Sequence, residues 1–170
     1  FPYFIWVWAN FDGVHYLTIA QSGYLDNYQG FFPFYPIIIR ALNLNFGIPF
    51  IIGGQIISTF SFFAAAFVFT RLIKLDSQRK NMLLFWVIIF CFPTSFFYHA
   101  VYNDALFLFL ATLCIYLARM RYFFLACLIG AFSVLTRLNG LALIGLILGE
   151  YALFRSNSLT MIEHWNFSFW

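Results

Sequence analysis

Charged side chains are absent from Gly47 to Thr70, a run longer than the roughly 20 residues that a helix needs to cross hydrocarbon. The run stops at Arg71-Leu-Ile-Lys74-Leu-Asp76-Ser-Gln-Arg79-Lys80, which holds four of the nine basic residues. A second apolar run starts at Met82 and lasts to about Val101, with Pro93 breaking the helical hydrogen bonding partway. Polarity rises at Tyr98-His-Ala-Val-Tyr-Asn-Asp104, and Ala105 to Ala118 returns to the short basic segment Arg119-Met-Arg121. Tyr122 to Leu148 is too long for one untilted span and carries Arg137 and Asn139-Gly140 in its middle. The pattern predicts transmembrane helices over 47–70, 82–101, 105–118, 122–136 and 141–154. A single tilted helix with Arg137 turned inward is the alternative for the last two.

Ahead of the first span, residues 10–46 read as a loop. Phe1 to Ala9 looks like the end of a helix, and Gly13 to Gln21 is predicted as a short interfacial helix that Gly23 ends. The aromatic corner Phe31-Phe-Pro33-Phe-Tyr-Pro36 leads into another short helix through Arg40 to about Asn43.

Composition strengthens this picture. Hydrophobic residues make up 64% of the 170, charged residues 9%, and Phe occurs 26 times, so too little polar surface exists to coat a soluble globule. The expected fold is all-α, a polytopic transmembrane helical bundle, in a chain that reads as a piece of a longer protein. No basic segment precedes a short apolar core at the start, so the spans themselves are expected to direct the chain to the membrane. The net charge of +3 lies in clusters between apolar runs, which is a pattern of topology rather than of nucleic-acid binding. Arg71, Lys74, Arg79, Lys80, Arg119, Arg121 and Arg155 mark the cytoplasmic side, leaving only Arg40 and Arg137 outside. One outer face then holds Asp12, Asp26, His15, Asp104, Arg40, Arg137 and Asn139. Asn166-Phe-Ser168 matches a glycosylation sequon but falls on the cytoplasmic side of this topology.

Among these residues Asp12 stands directly after an apolar aromatic run and near His15. It suits either a base that takes a proton from a hydroxyl nucleophile or a helix N-cap. Arg137 lies in an apolar run and needs a partner, either a carboxylate such as Asp104 or Asp12, or a phosphate that its planar guanidinium grips. His15 and His99 lack zinc-ligand spacing, and Cys91, Cys114 and Cys127 sit in apolar runs as packing residues. Gly145 and Gly149 allow close helix approach.

Three blocks in order carry a resemblance. Phe11-Asp12-Gly-Val-His15-Tyr16-Leu-Thr-Ile19-Ala20-Gln-Ser-Gly23-Tyr24, with Phe31-Phe32-Pro33-Phe-Tyr-Pro36 and Arg40, resembles the first outer loop of the GPI second-mannose transferase family and its bacterial relatives in the GT-C superfamily. Pro93-Thr-Ser95-Phe-Phe with Tyr102-Asn-Asp104-Ala-Leu-Phe107 is similar to the second block, and Thr136-Arg137-Leu-Asn139-Gly140 to the third. Phe11 stands where the family usually has Trp, Phe92 where it has Asn, and Asn103-Asp104 where Ser-Glu is common.

The resemblance implies an inverting membrane glycosyltransferase. It would move a sugar, typically mannose, from a polyprenyl or dolichyl phosphate to an acceptor hydroxyl on a lipid or glycan, on the extracytoplasmic face of a plasma membrane or in the ER lumen. Asp12 matches the catalytic acid position, and His15, Tyr16, Arg40, Asn103, Asp104, Arg137 and Asn139 are the implied substrate contacts. No cofactor and no metal is expected. A transporter or flippase with Asp104 and Arg137 along its path, or a non-catalytic membrane subunit, are the readings from other classes.

Overall fold

The computed structural model describes residues 3–24, 28–76 and 82–167. Asp26, Arg79, Lys80 and the sequon's Ser168 lie outside the described residues. Among the described residues the chain is helical throughout its regular structure, with no strand.

Helix α1 (Tyr3–Trp6) runs into a 3-10 turn over Val7–Ala9, and α2 follows at Asp12–Ser22. Gly23 closes α2 with φ 82°, its N–H donating to the Ile19 carbonyl at 2.9 Å. Helix α3 spans Phe34–Phe46 and so starts two residues before Pro36, which occupies the first turn where its missing N–H leaves nothing unsatisfied. Gly47 belongs to this helix's end rather than to the next span. It adopts the left-handed conformation at φ 66°, and its N–H donates to the Asn43 carbonyl at 2.8 Å.

The long apolar helix α4 is Phe50–Asp76. It runs past Thr70 because nothing between Arg71 and Leu75 breaks a helix, and the Arg71 guanidinium lies 5.1 Å from the centroid of the Phe67 ring one turn back. Helix α5 (Met82–Cys91) ends before Phe92, whose backbone is extended as the residue preceding a proline tends to be. A 3-10 segment covers Pro93–Tyr98, then α6 runs over Asp104–Arg119 and α7 over Phe123–Val134. Arg137 is extended (φ −159°, ψ 139°), so no single helix joins Tyr122 to Leu148. A short 3-10 turn, Leu138–Leu141, leads into α8 (Ala142–Phe167).

Among the described residues two helical stretches are long and apolar enough to cross a membrane, Phe50–Leu75 and Leu138–Ser156, while α7 is apolar but shorter. Helix α6 is the axis of the packing, touching α4 on one side and α7 and α8 on another. Its first turns join Tyr16, Leu17, Tyr35, Ile39, Ile57 and Val101 in one apolar core. Its last turns form a second core with Ala126, Leu143 and Ile147, where the Cys114 thiol donates to the Ala126 carbonyl at 3.3 Å.

Candidate active site

The start of α6 is where the chain's distant polar segments meet. The Val101 N–H donates to the Trp8 carbonyl at 2.8 Å, and the Tyr102 hydroxyl donates to the Asn10 carbonyl at 2.8 Å. These bonds tie the residues just before Asp12 to those just before Asp104. Gly13 sits in the seam, since a Cβ there would lie 3.1 Å from the Val101 carbonyl oxygen. A third segment arrives from the end of α7. Asn103 Nδ2 donates to the Thr136 carbonyl at 2.7 Å, and Arg137 pairs with Asp104 through Nη1 and Oδ1. The Phe34 N–H, donating to the Leu135 carbonyl at 3.2 Å, anchors α3 to the same end.

Asp12 opens α2 in its first turn, where the helix dipole favours a negative charge. It is not the N-cap. Phe11 holds that position, with φ 56° and ψ −122°, and Asp12 makes no hydrogen bond or ion pair with any described residue. The carboxylate is exposed. Phe11 is a non-glycine residue in a left-handed region, an arrangement that costs about 1–3 kcal/mol and that the surrounding structure must impose.

Burial pushes the Tyr16 hydroxyl well above the ordinary tyrosine range, with Asp12 and Asp104 adding to the rise and Arg137 opposing it. Burial likewise raises Tyr102, and Asp12 and Asp104 raise it further. Both hydroxyls therefore keep their protons, Tyr102 donating its own to the Asn10 carbonyl. Tyr16 is fixed by edge-to-face contacts with Phe31 and Tyr35 at ring distances of 5.1 and 5.2 Å. The Tyr35 hydroxyl contacts Ser58 Oγ at 2.7 Å and the Gly54 carbonyl at 2.9 Å, and Ser58 donates to the Tyr102 carbonyl at 3.0 Å.

The other expected site residues sit around this centre. His15 follows Asp12 by one turn, its ring 4.9 Å from Phe31 and 5.3 Å from Tyr28, with Nδ1 enclosed and unpartnered among the described residues. Asn139 is exposed in the turn after Arg137. Arg40 is exposed on α3, and no hydrogen bond or ion pair joins it to the described residues, so the structure does not draw it into the cluster. Among the described residues no three His, Cys, Asp or Glu side chains gather closely enough to hold a metal ion.

Asp12, the Asp104–Arg137 pair and the two tyrosines thus lie on segments bonded to one another, and groups of these kinds can take up a proton and hold an anion. The mannosyltransferase (PIG-V) family matches the chain over residues 3–166. The chain belongs to that family. This mannosyltransferase-family protein is accordingly a glycosyltransferase, and its long apolar helices agree with a membrane location for its sugar donor and its glycan or lipid acceptor. No curated protein and no solved structure matches it.

Sequence reasoning did not single out Tyr102, Tyr35 or Ser58. Ser58 carried a signal: a hydroxyl in a charge-free apolar run needs a partner, and here it finds two.

Proposed function

We propose that this enzyme transfers a sugar, mannose by its family, from a polyprenyl or dolichyl phosphate to an acceptor hydroxyl in one inverting displacement. Asp12 is the base. It takes the proton as the acceptor oxygen attacks the anomeric carbon, and the bond from that carbon to the phosphate oxygen breaks with its electrons left on the phosphate. One carboxylate and one displacement give inversion, because nothing is held covalently on the protein. The departing lipid phosphate is already an anion and needs a cation more than a proton, and Arg137 answers that need. Tyr16, His15, Asn103, Asp104 and Asn139 orient the sugar and the guanidinium, and Arg40 contacts substrate from α3. The helices form a multi-pass bundle with the site on the extracytoplasmic or lumenal face.

The observation that carries this reading is geometric: Tyr102 donates to the Asn10 carbonyl just before Asp12, while Asn103 donates to the Thr136 carbonyl just before Arg137. In the full-length protein, Asp12→Asn and Asp12→Ala are expected to lower transfer from a polyprenyl phosphate mannose by about 100-fold or more, a positioned base contributing about 100- to 10,000-fold, with membrane abundance unchanged. Near-normal transfer by both variants would remove Asp12 from this role.

A further inference from the structure

A groove of about 400 Å³ runs between α4, α5 and α6, within the size range of ordinary ligand sites. Phe62, Ala66, Phe69, Ile88, Phe92 and Leu108 supply its walls. Two hydroxyl residues deep in the lining do not make it polar. Ser95 donates to the Ile89 carbonyl, and Thr112 turns onto the Leu108 and Phe109 carbonyls at 2.8 and 3.0 Å. With those groups satisfied by backbone, the surface offers a ligand hydrocarbon contact and little else.

One end is different. Thr94 and Tyr98 belong both to this groove and to a second cleft of about 290 Å³ that Asp104 lines. Tyr98 is stacked on Phe62 with ring centroids 5.0 Å apart, which fixes the shape of the junction. Beyond it Arg137 pairs with Asp104 while its side chain stays 42% exposed, leaving guanidinium donors for an anion. On α6 the groove is lined by Leu108 and Thr112, about 6 and 12 Å along the helix from Asp104.

Resting on the proposed transfer reaction, we infer that this groove holds the prenyl chain of the sugar donor, with the donor phosphate at the Asp104–Arg137 end. The choice of donor over a lipid acceptor follows from spacing. In the donor the phosphate is bonded directly to the sugar, and the hydrogen bonds of Tyr102 to Asn10 and of Asn103 to Thr136 hold the segments that carry Asp12 and Arg137 against the start of α6. A phosphate at the Asp104–Arg137 end therefore brings the sugar to the segment that carries the base.

Ile88 is 55% exposed and lines the groove, so Ile88→Trp fills it from the open side without disturbing the core. In the full-length enzyme this variant should raise KM for undecaprenyl phosphate mannose about tenfold, equal to about 1.4 kcal/mol, and leave KM for methyl phosphate mannose, which has no chain to enter the groove, within about twofold. Equal effects on the two donors, or none on either, overturn the assignment. A second measurement needs no turnover. Undecaprenyl phosphate with a diazirine in its chain, added to the wild-type protein, should label residues 88–92 or 108–112, and unlabelled undecaprenyl phosphate should compete. Label confined to other helices overturns the groove. Label in the groove of a protein that transfers no sugar from any prenyl phosphate supports the groove and rejects the transfer reaction instead.

Discussion

Tyr16 shows how a single side chain reports on its surroundings. In the folded protein its hydroxyl holds the proton more tightly than in the unfolded chain, because burial and then the two carboxylates disfavour the phenolate. Folded stability from this group is thus complete below the unfolded tyrosine value near pH 10 and declines as pH rises beyond it. Tyr35, buried more deeply and also raised, adds to the same decline. Tyr16→Phe should flatten, without abolishing, the fall in thermal midpoint of the solubilised protein above about pH 10, and a slope unchanged from wild type would contradict the tighter hold of the buried hydroxyl on its proton. Several of these residues were visible in sequence. A charge in an apolar run must be partnered, and Arg137 is, by Asp104. Of the two readings open for Asp12, the N-cap does not hold, because the helix includes Asp12 and Phe11 takes the cap position. Arg40 looked equivalent to Arg137 by charge alone, yet it sits on the exposed side of α3 while Ile39 takes the buried side.

At the scale of elements, apolar runs foretell helices well, whereas their ends depend on local backbone chemistry. Gly47 reads as part of a span because nothing about it is polar, but its freedom at positive φ makes it the stop of α3. The break at Arg137 was readable from Asn139-Gly140, and the structure gives the reason for that glycine. A Cβ on Gly140 would lie 2.6 Å from the Val134 nitrogen and 2.7 Å from the Ser133 carbonyl carbon, so the turn presses directly against the end of α7. Gly140→Ala should push this turn away, at a cost of about 1–3 kcal/mol typical of overpacking, and displace Arg137 with it. Activity should then fall more than abundance in the membrane does. Equal falls would mean that the glycine matters only for folding. What sequence could not provide was the meeting of α2, α6 and the end of α7, because hydrogen bonds such as Tyr102 to Asn10 involve backbone carbonyls that every residue possesses.

Across the whole molecule the charges divide along α6. Asp104 begins this helix in the candidate site, and Arg119 ends it in an ion pair with Glu150 of α8 at 2.6 Å, while Arg121 lies 4.6 Å over the Phe154 ring. The two ends are about 22 Å apart at the rise of an α-helix, a large part of the roughly 30 Å hydrocarbon thickness. The proposed topology predicts that single cysteines replacing Gln29 or Asn139 in a cysteine-free background react with an impermeant thiol reagent on intact cells. A cysteine replacing Lys74 should react only after permeabilisation. Labelling of all three from the same side would reject it.

The bond between Tyr102 and Asn10 joins residues 92 positions apart. A ribosome adding about 5–20 residues per second therefore releases the first segment some 5–20 s before its partner exists. During that interval the exposed aromatic loop has neither α6 nor the turn at Arg137 to rest on. The candidate site is in this sense assembled late, and a chain cut short before Arg137 would carry Asp12 without the guanidinium proposed to work beside it.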